Sequence, residues 1–283
     1  MAINTTMVIG AGQMGGGIAQ VMAQAGRKVY LNDIKQEFID KRLAFIEGLL
    51  TKDVGKGRIT EEQKAAALAN LVGTVDLDPA AECDLVVEAA MENMEVKAGL
   101  FKRLDEIAPA SAILASNTSS LPITEIAAVT QRPEQVIGMH FMNPVPVMKL
   151  VEMIRGLATS DETTAIIRQE SIDLGKVPVE VRDVPGFVSN RVLQMLINEA
   201  IFCVYEGVAT PEDIDTVMKL GMNHPMGPLQ LADFIGLDTV LYILEVMYEG
   251  YADSKYRPCP LLRQYVKAGW LGKKSGRGFY TYG

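Results

Sequence analysis

The sequence predicts an α/β fold: a doubly wound, mostly parallel sheet followed by a second, all-α C-terminal domain. Three observations carry that reading. Short apolar runs alternate with stretches of helical periodicity from residue 6 to residue 181, as strands and crossover helices do in a parallel sheet. The first run passes directly into a glycine-rich turn and then into a helical pattern. Beyond Val184-Pro185-Gly186 the alternation stops and only helical periodicity remains.

The elements follow in order. Residues 6–9 are a short apolar run ending at Gly10, the pattern of a buried parallel strand. Residues 14–25 place Ile18, Val21, Met22 and Ala25 at helical spacing, with Gly26 where a C-terminal glycine belongs. A second strand over 29–31 leads to Asp33. A long helix runs from about 36 to 52 and breaks at Gly55 and Gly57; Thr60 with Gln63 forms a capping box that opens another. Strands are expected at 71–74 and 85–88, a helix at 96–107, and strands at 113–116, 136–140 and 149–154. A helix at 162–174 and a strand at 177–181 complete the alternation. The helical part reads as 188–205, 211–220, a stretch around 229–248, and 261–268. The boundary falls near residue 184, giving domains 1–184 and 185–283.

With 283 residues, 48% of them hydrophobic and 22% charged, the chain can bury one large core or two moderate ones. A formal net charge of −8 repels phosphate backbones and anionic headgroups, so neither nucleic acid nor membrane is an expected partner. An anionic ligand must then meet a local cluster of basic residues. Cys83, Cys203 and Cys259 are scattered and odd in number, which fits a reducing, cytoplasmic setting without a disulfide framework. They share no metal-ligand spacing with His140 and His224, so no metal site is expected. The N-terminal residues run straight into a strand, with no basic segment or cleavage site, so no signal peptide is expected. No stretch stays apolar for the ~18 residues that a membrane span needs.

The glycine-rich turn is Gly10-Ala11-Gly12-Gln13-Met14-Gly15, a G-x-G-x-x-G. Alone that pattern is weak; here it follows a strand and opens a helix, the context that gives it meaning. Gly10 permits a tight turn, Gly12 lets the backbone approach a pyrophosphate, and Gly15 allows helix and strand to pack closely. Unpaired N–H groups at the helix start then favour the phosphates. Asp33 lies 23 residues after Gly10, where a carboxylate accepts hydrogen bonds from the adenosine ribose and repels a 2′-phosphate. Only Lys35, and no arginine, follows closely. The expected cofactor is NAD rather than NADP, on a Rossmann-type domain.

In such a sheet, ligands bind at the carboxyl ends of the strands. One strand runs into Ser116-Asn117-Thr118-Ser119-Ser120, and another ends on His140. Imidazole titrates near neutrality, so His140 is a general-base candidate; a hydrogen-bonded structural histidine is the other reading of the same position. Glu152 follows 12 residues later in the next strand and has the spacing to return beside it.

Several longer segments are more specific. SNTSSLPIT at 116–124, GMHFMNPVPVMKLVE at 138–152, VVEAAMENMEVK at 86–97, DVPGFVSNR at 183–191 and MGP at 226–228 resemble the L-3-hydroxyacyl-CoA dehydrogenase family over essentially the whole chain. The likeness is greatest to its compact, stand-alone bacterial members. It implies His140 as catalytic base in H-F-x-N-P, with Glu152 as its carboxylate partner. It implies that Ser119 contacts the substrate oxygen and the nicotinamide region, and that Asn190 in P-G-F-x-x-N holds the substrate. Glu92, Lys97 and Asn143 match cofactor-lining positions, and Lys274 matches one more loosely. Lys56, with Lys52 and Arg58 nearby, is the basic cluster for the phosphates of coenzyme A, or else a solvated group of charges. His224 reads as structural.

The implied reaction is oxidation of a 3-hydroxyacyl-CoA by NAD, or the reverse reduction, with 3-hydroxybutyryl-CoA and acetoacetyl-CoA as the expected pair. The helical domain is expected to complete the substrate site and to form a homodimer, with Met195, Met218, Met222 and Met247 on its helices. Two other readings remain: a relative acting on a small sugar acid without coenzyme A, and a nucleotide-binding protein without chemistry.

Overall fold

The structure, a computed structural model, describes residues 2–283. The chain divides into two compact units, Met1–Asp183 and Val184–Gly283.

The first unit opens with β1 (Thr5–Ile9), α1 (Gln13–Gln24), β2 (Lys28–Asn32), α2 (Gln36–Gly55), α3 (Glu61–Ala69) and β3 (Leu71–Thr74). It continues with β4 (Leu85–Glu88), α4 (Met94–Ile107), β5 (Ile113–Ser116), α5 (Ile123–Ala127) and β6 (Val136–Phe141). It closes with β7 (Leu150–Arg155), α6 (Asp161–Asp173) and β8 (Val177–Arg182). The eight strands form one sheet in the order β3-β2-β1-β4-β5-β6-β7-β8. All neighbours are parallel except β6 and β7. Strand order reverses between β1 and β4, and that reversal opens a crevice at their carboxyl ends where the glycine turn sits.

Local chemistry sets the helix starts. Thr60 and Gln63 exchange the two bonds of a capping box at the head of α3. Asn93 and Ser160 cap α4 and α6 through the N–H groups of Val96 and Thr163, so both helices start a little earlier than their apolar periodicity indicates. α1 buries Ile18, Ala19, Met22 and Ala23 into the main core with Val8, Leu31, Val87 and Ile137. Truncating a buried side chain such as Met22 to alanine costs about 2–5 kcal/mol.

The second unit is all α: α7 (Ser189–Tyr205), α8 (Pro211–Gly221), α9 (Pro228–Ile235), α10 (Leu237–Tyr251) and α11 (Pro260–Lys267). It has its own core, built on Ile197, Ile201, Leu229, Val240, Leu244 and Leu262. The single helical stretch expected around 229–248 is two helices. Gly236 has φ +104°, a conformation that ends α9 and lets α10 start at once on a new axis. The short α5 also escaped the sequence reading, because five residues are too few to show a period. Of the four methionines, Met247 is fully buried in the core and Met222 is exposed. No helix among the described residues is long and apolar enough to cross a membrane.

Candidate active site

The glycine turn closes over the carboxyl end of β1. Gly10 has φ +101°, and a Cβ there would lie 2.5 Å from the Ala89 carbonyl oxygen. A Cβ on Gly15 would come within 1.8 Å of the Gly10 carbonyl oxygen, so α1 packs against the turn only because position 15 has no side chain. Gly12 is the N-cap of α1, is exposed, and supplies no capping side chain. A Cβ on Gly12 would meet nothing within 4 Å, so the backbone there is open to close approach. An uncapped helix N-terminus beside open space fits an anionic pyrophosphate. Asp33, half-buried just past β2, accepts the Ala11 N–H at 2.7 Å on Oδ2 and the Ile34 N–H at 2.8 Å on Oδ1. Each carboxylate oxygen keeps a further lone pair, which leaves capacity for ribose hydroxyls. A cleft of about 670 Å³ opens beside the turn, between α1, residues 38–49 of α2 and residues 143–146. Gln13, Lys41, Arg42, Phe45 and Asn143 are among its walls.

The antiparallel pairing of β6 with β7 sets His140 directly opposite Glu152. Side chains opposite each other on a ladder share a face, and His140 Nδ1 lies 2.9 Å from Glu152 Oε2. Both side chains are buried. A carboxylate only accepts, so Nδ1 is the donor of this pair, and Nε2 faces the other way. Nε2 lies 3.1 Å from Ser119 Oγ. The three side chains thus form a row, Glu152–His140–Ser119, at the carboxyl end of the sheet.

Two carboxylates, Glu92 half-buried and Glu88 fully buried, hold the loop that carries Ser119. Glu92 Oε1 accepts the Thr118 hydroxyl at 2.6 Å, the Ser119 N–H at 2.9 Å, and the Ser120 N–H and hydroxyl at 3.1 Å each. Burial alone raises the Glu92 carboxyl; the Lys97 ammonium and the hydrogen bonds from Thr118 and Ser119 outweigh it and hold Glu92 below its usual range. Glu88, at the end of β4, takes Lys97 Nζ at 2.7 and 2.9 Å, the Ser116 hydroxyl at 2.7 Å and the Ala90 N–H at 2.7 Å. Asn117 Oδ1 accepts the Phe141 N–H at 2.9 Å and stitches the end of β5 to the strand of His140.

Sequence-based residues fall into three groups. Gly10, Ala11, Gly12, Gln13, Met14, Gly15, Asp33 and Asn143 gather at the turn, with Gln13 Nε2 donating to Asn143 Oδ1 at 2.9 Å. Ser119, His140, Glu152 and Glu92 gather in the row and its support. Lys97, expected to line the cofactor, is 1% exposed, and its ammonium is engaged by Glu88 and, at 3.3 Å, by Glu92. A lysine buried this deeply on a helix needs such partners, because an unpaired buried charge is very costly. Lys56 is the exposed C-cap of α2, and neighbouring Arg58 pairs with Asp53 at 3.0 Å. In the helical unit, Asn190 is buried in the first turn of α7, and Lys274 pairs with Asp238. His224 is half-buried, its N–H donating to the Met218 carbonyl at 3.1 Å. No cluster of three or more His, Cys, Asp or Glu among the described residues has a metal-binding arrangement.

Glu88 and Asn117 were not singled out from sequence. A glutamate closing an apolar strand, with a lysine nine residues on, was the available signal for the first. Asn117 carried none beyond its place at a strand end.

Two family models cover the chain: "3-hydroxyacyl-CoA dehydrogenase, NAD binding domain" over residues 5–184 and "3-hydroxyacyl-CoA dehydrogenase, C-terminal domain" over 186–282. A "probable 3-hydroxybutyryl-CoA dehydrogenase" of Bacillus subtilis is 62% identical over 282 residues, covering 100% of this chain and 98% of the relative. A 3-hydroxybutyryl-CoA dehydrogenase of Bradyrhizobium diazoefficiens is 55% identical over 97% of this chain and 94% of its own length. The crystal structure of (S)-3-hydroxybutyryl-CoA dehydrogenase from Ralstonia eutropha matches with a TM-score of 0.98 at 50% identity, covering 100% of both chains. With both halves matched and close relatives aligned end to end, the chain belongs to the 3-hydroxyacyl-CoA dehydrogenase family and is an NAD-dependent oxidoreductase.

Proposed function

We propose that the chain interconverts (S)-3-hydroxybutyryl-CoA and acetoacetyl-CoA with NAD(H), His140 acting as general base and acid. The observation that carries this reading is the Glu152–His140–Ser119 row at 2.9 and 3.1 Å, in the same unit as the glycine turn. The turn, Asp33 and Asn143 hold the cofactor, and Glu92 and Lys97 act beneath it by fixing the Ser119 loop. When bound, NAD supplies the hydride acceptor for C3 of the substrate and NADH the donor. His140 Nε2 takes the hydroxyl proton in oxidation, and Glu152 stabilises the imidazolium through Nδ1–H. In reduction the imidazolium returns a proton to the 3-keto oxygen, while the Ser119 hydroxyl donates to the same oxygen as negative charge develops there.

The rest of the assignment follows the motifs. Asn190 holds the substrate from the helical unit, with Lys274 as a further cofactor contact. Lys56, with Lys52 and Arg58 nearby, gives an acidic chain a local basic cluster for the phosphates of coenzyme A. Residues 1–184 are the NAD-binding domain and 185–283 the substrate-binding and dimerisation domain of a cytoplasmic homodimer. Exposed Val192, Val217, Leu220 and Phe234 on the helical unit support self-association. The test is the loss of reduced-nicotinamide absorbance with acetoacetyl-CoA, run beside His140→Gln. Turnover by the unaltered enzyme, with rate lost and NADH binding kept in the variant, supports the proposal; a folded variant with normal turnover defeats it.

A further inference from the structure

Helix α6 ends in a manner that delivers one lysine into the interior. The Gly175 N–H bonds to the Ile172 carbonyl at 2.8 Å and the Lys176 N–H to the Ser171 carbonyl at 2.9 Å, the paired bonds of a Schellman motif. Gly175 takes the left-handed conformation at φ +70°, so the chain reverses and Lys176 arrives at the head of β8, beside the start of β7. The Val177 N–H then joins the sheet through the Lys149 carbonyl at 2.7 Å.

Lys176 is only 8% exposed. Its ammonium donates to the carbonyls of Val145 and Met148, the latter at 2.8 Å. Both acceptors lie in the loop of residues 142–149 that joins β6 to β7. That loop starts just after His140 and ends just before Glu152, and it carries Asn143. Its own bonds are few: the N–H groups of Val147 and Met148 both point to the Pro144 carbonyl, at 3.0 and 2.9 Å. One apolar contact helps: Val145 is 2% exposed and packs against α1 at Gly17, where a Cβ would come within 2.9 Å of it. Asn143, Pro144, Val147 and Met148 are all exposed, so solvent offers this loop no fixed shape.

We propose that Lys176 is a positioning residue for the cofactor: it clamps the 142–149 loop by its carbonyls and so holds Asn143 against Gln13 of the glycine turn. A charged donor bridging two carbonyls is stronger than a neutral one and fixes both ends of the segment between them. Burial pushes the Lys176 ammonium below its usual range, so the fold keeps a cation at this place against its solvation. The clamp acts on the loop and leaves the β6–β7 ladder, which pairs His140 with Glu152, to its own register. Sequence reading passed over Lys176 because G-K after a helix reads as a surface helix end.

The proposal rests on the reading that Asn143 and the glycine turn line the cofactor site. Its test is the NADH dissociation constant, followed by nicotinamide fluorescence, for the unaltered protein, Asn143→Ala, Lys176→Met and the double variant. Each single change is expected to weaken NADH about tenfold, roughly one hydrogen-bonded contact. The double variant is expected to be little worse than either single one, because the two residues act through one loop. In turnover, the Lys176→Met loss is expected in KM for NADH rather than in kcat. Lys176→Gln, which keeps an amide donor, is expected to recover part of the affinity, and it serves as the readout should Lys176→Met not fold. A lysine with a merely structural role lowers the melting temperature of Lys176→Met or Lys176→Gln and leaves NADH affinity unmoved. That result, with Asn143→Ala still weakening NADH, overturns the clamp alone. Unchanged affinity in Asn143→Ala overturns the clamp together with the cofactor reading beneath it.

Discussion

His140 stands between two oxygens. Its Nδ1 lies 2.9 Å from Glu152 Oε2 and its Nε2 3.1 Å from Ser119 Oγ, the geometry on which its proposed role as base and acid rests. Replacing His140 by alanine is expected to cut kcat by roughly 10²–10⁴, the usual worth of a positioned acid–base group. NADH binding is expected to survive, because the turn is built from backbone and Asp33. Near-normal kcat in a folded variant refutes that role. Asp33 makes its own prediction at this scale: NADH should exceed NADPH by at least ~10-fold in kcat/KM, about 1.4 kcal/mol, and Asp33→Ala should narrow the ratio. Equal use of both cofactors by the unaltered enzyme contradicts it. Glu92 yields a pH dependence. Its carboxyl is held below the usual value of 4.5, so its contribution to stability is complete above that value and is lost as pH falls through the lower folded one. Between pH ~5 and ~3 the unaltered protein should lose urea stability more steeply than Glu92→Gln; parallel slopes argue that Glu92 is not the linked group.

At the scale of elements, the fold was most legible where one period ran long or one residue type had a single use. G-x-G-x-x-G announced the β1–turn–α1 unit because close approach admits only glycine at positions 10 and 15. Thr60 and Gln63 announced α3 because a capping box needs no tertiary information. The hidden elements depended on contacts the sequence does not display. Gly236 splits α9 from α10 inside continuous apolar periodicity, and Lys176 looks like any charged helix end until β8 turns it inward. Another long-range tie is Asp233 on α9, fully buried, which accepts the N–H groups of Phe279 and Tyr280 at 3.0 and 2.9 Å and the Tyr282 hydroxyl at 3.1 Å. Burial pushes its carboxyl up, while these donors pull it back. Asp233→Ala strands the donors and should cost about 1–3 kcal/mol for each one left buried. Faster proteolytic clipping after residue 270 should accompany the loss. An unchanged melting temperature and an intact C-terminus refute the tie.

At the scale of the whole molecule, two units carry separate cores, and the change from alternating to purely helical periodicity at Val184-Pro185-Gly186 marked the change of architecture. The Glu152–His140–Ser119 row was half legible. His140 and Glu152 could be suspected as partners from a spacing of 12, since two strands joined by a short loop bring such residues together, but only the antiparallel register of β6 and β7 sets them opposite. Their support by Glu88, Asn117 and Glu92 spans three strands, and that convergence follows from the order of the sheet rather than from any local pattern. Self-association belongs to this scale too: gel filtration should give a species near twice the 30.8 kDa chain mass, and a single 30.8 kDa species at micromolar concentration rules out the dimer.

The central claim is that the row acts on a 3-ketoacyl group delivered as a coenzyme A thioester. The direct measurement is kcat/KM for NADH-dependent reduction of acetoacetyl-CoA, of eight- and ten-carbon 3-ketoacyl-CoA esters, and of free acetoacetate. Binding energy from the shared coenzyme A portion should make acetoacetyl-CoA far better than the free acid. A closed acyl pocket should make efficiency fall with chain length, whereas an open channel adds up to ~0.8 kcal/mol per buried methylene and makes it rise. The account predicts the four-carbon ester as the best substrate; free acetoacetate reduced as efficiently as its coenzyme A ester would contradict it.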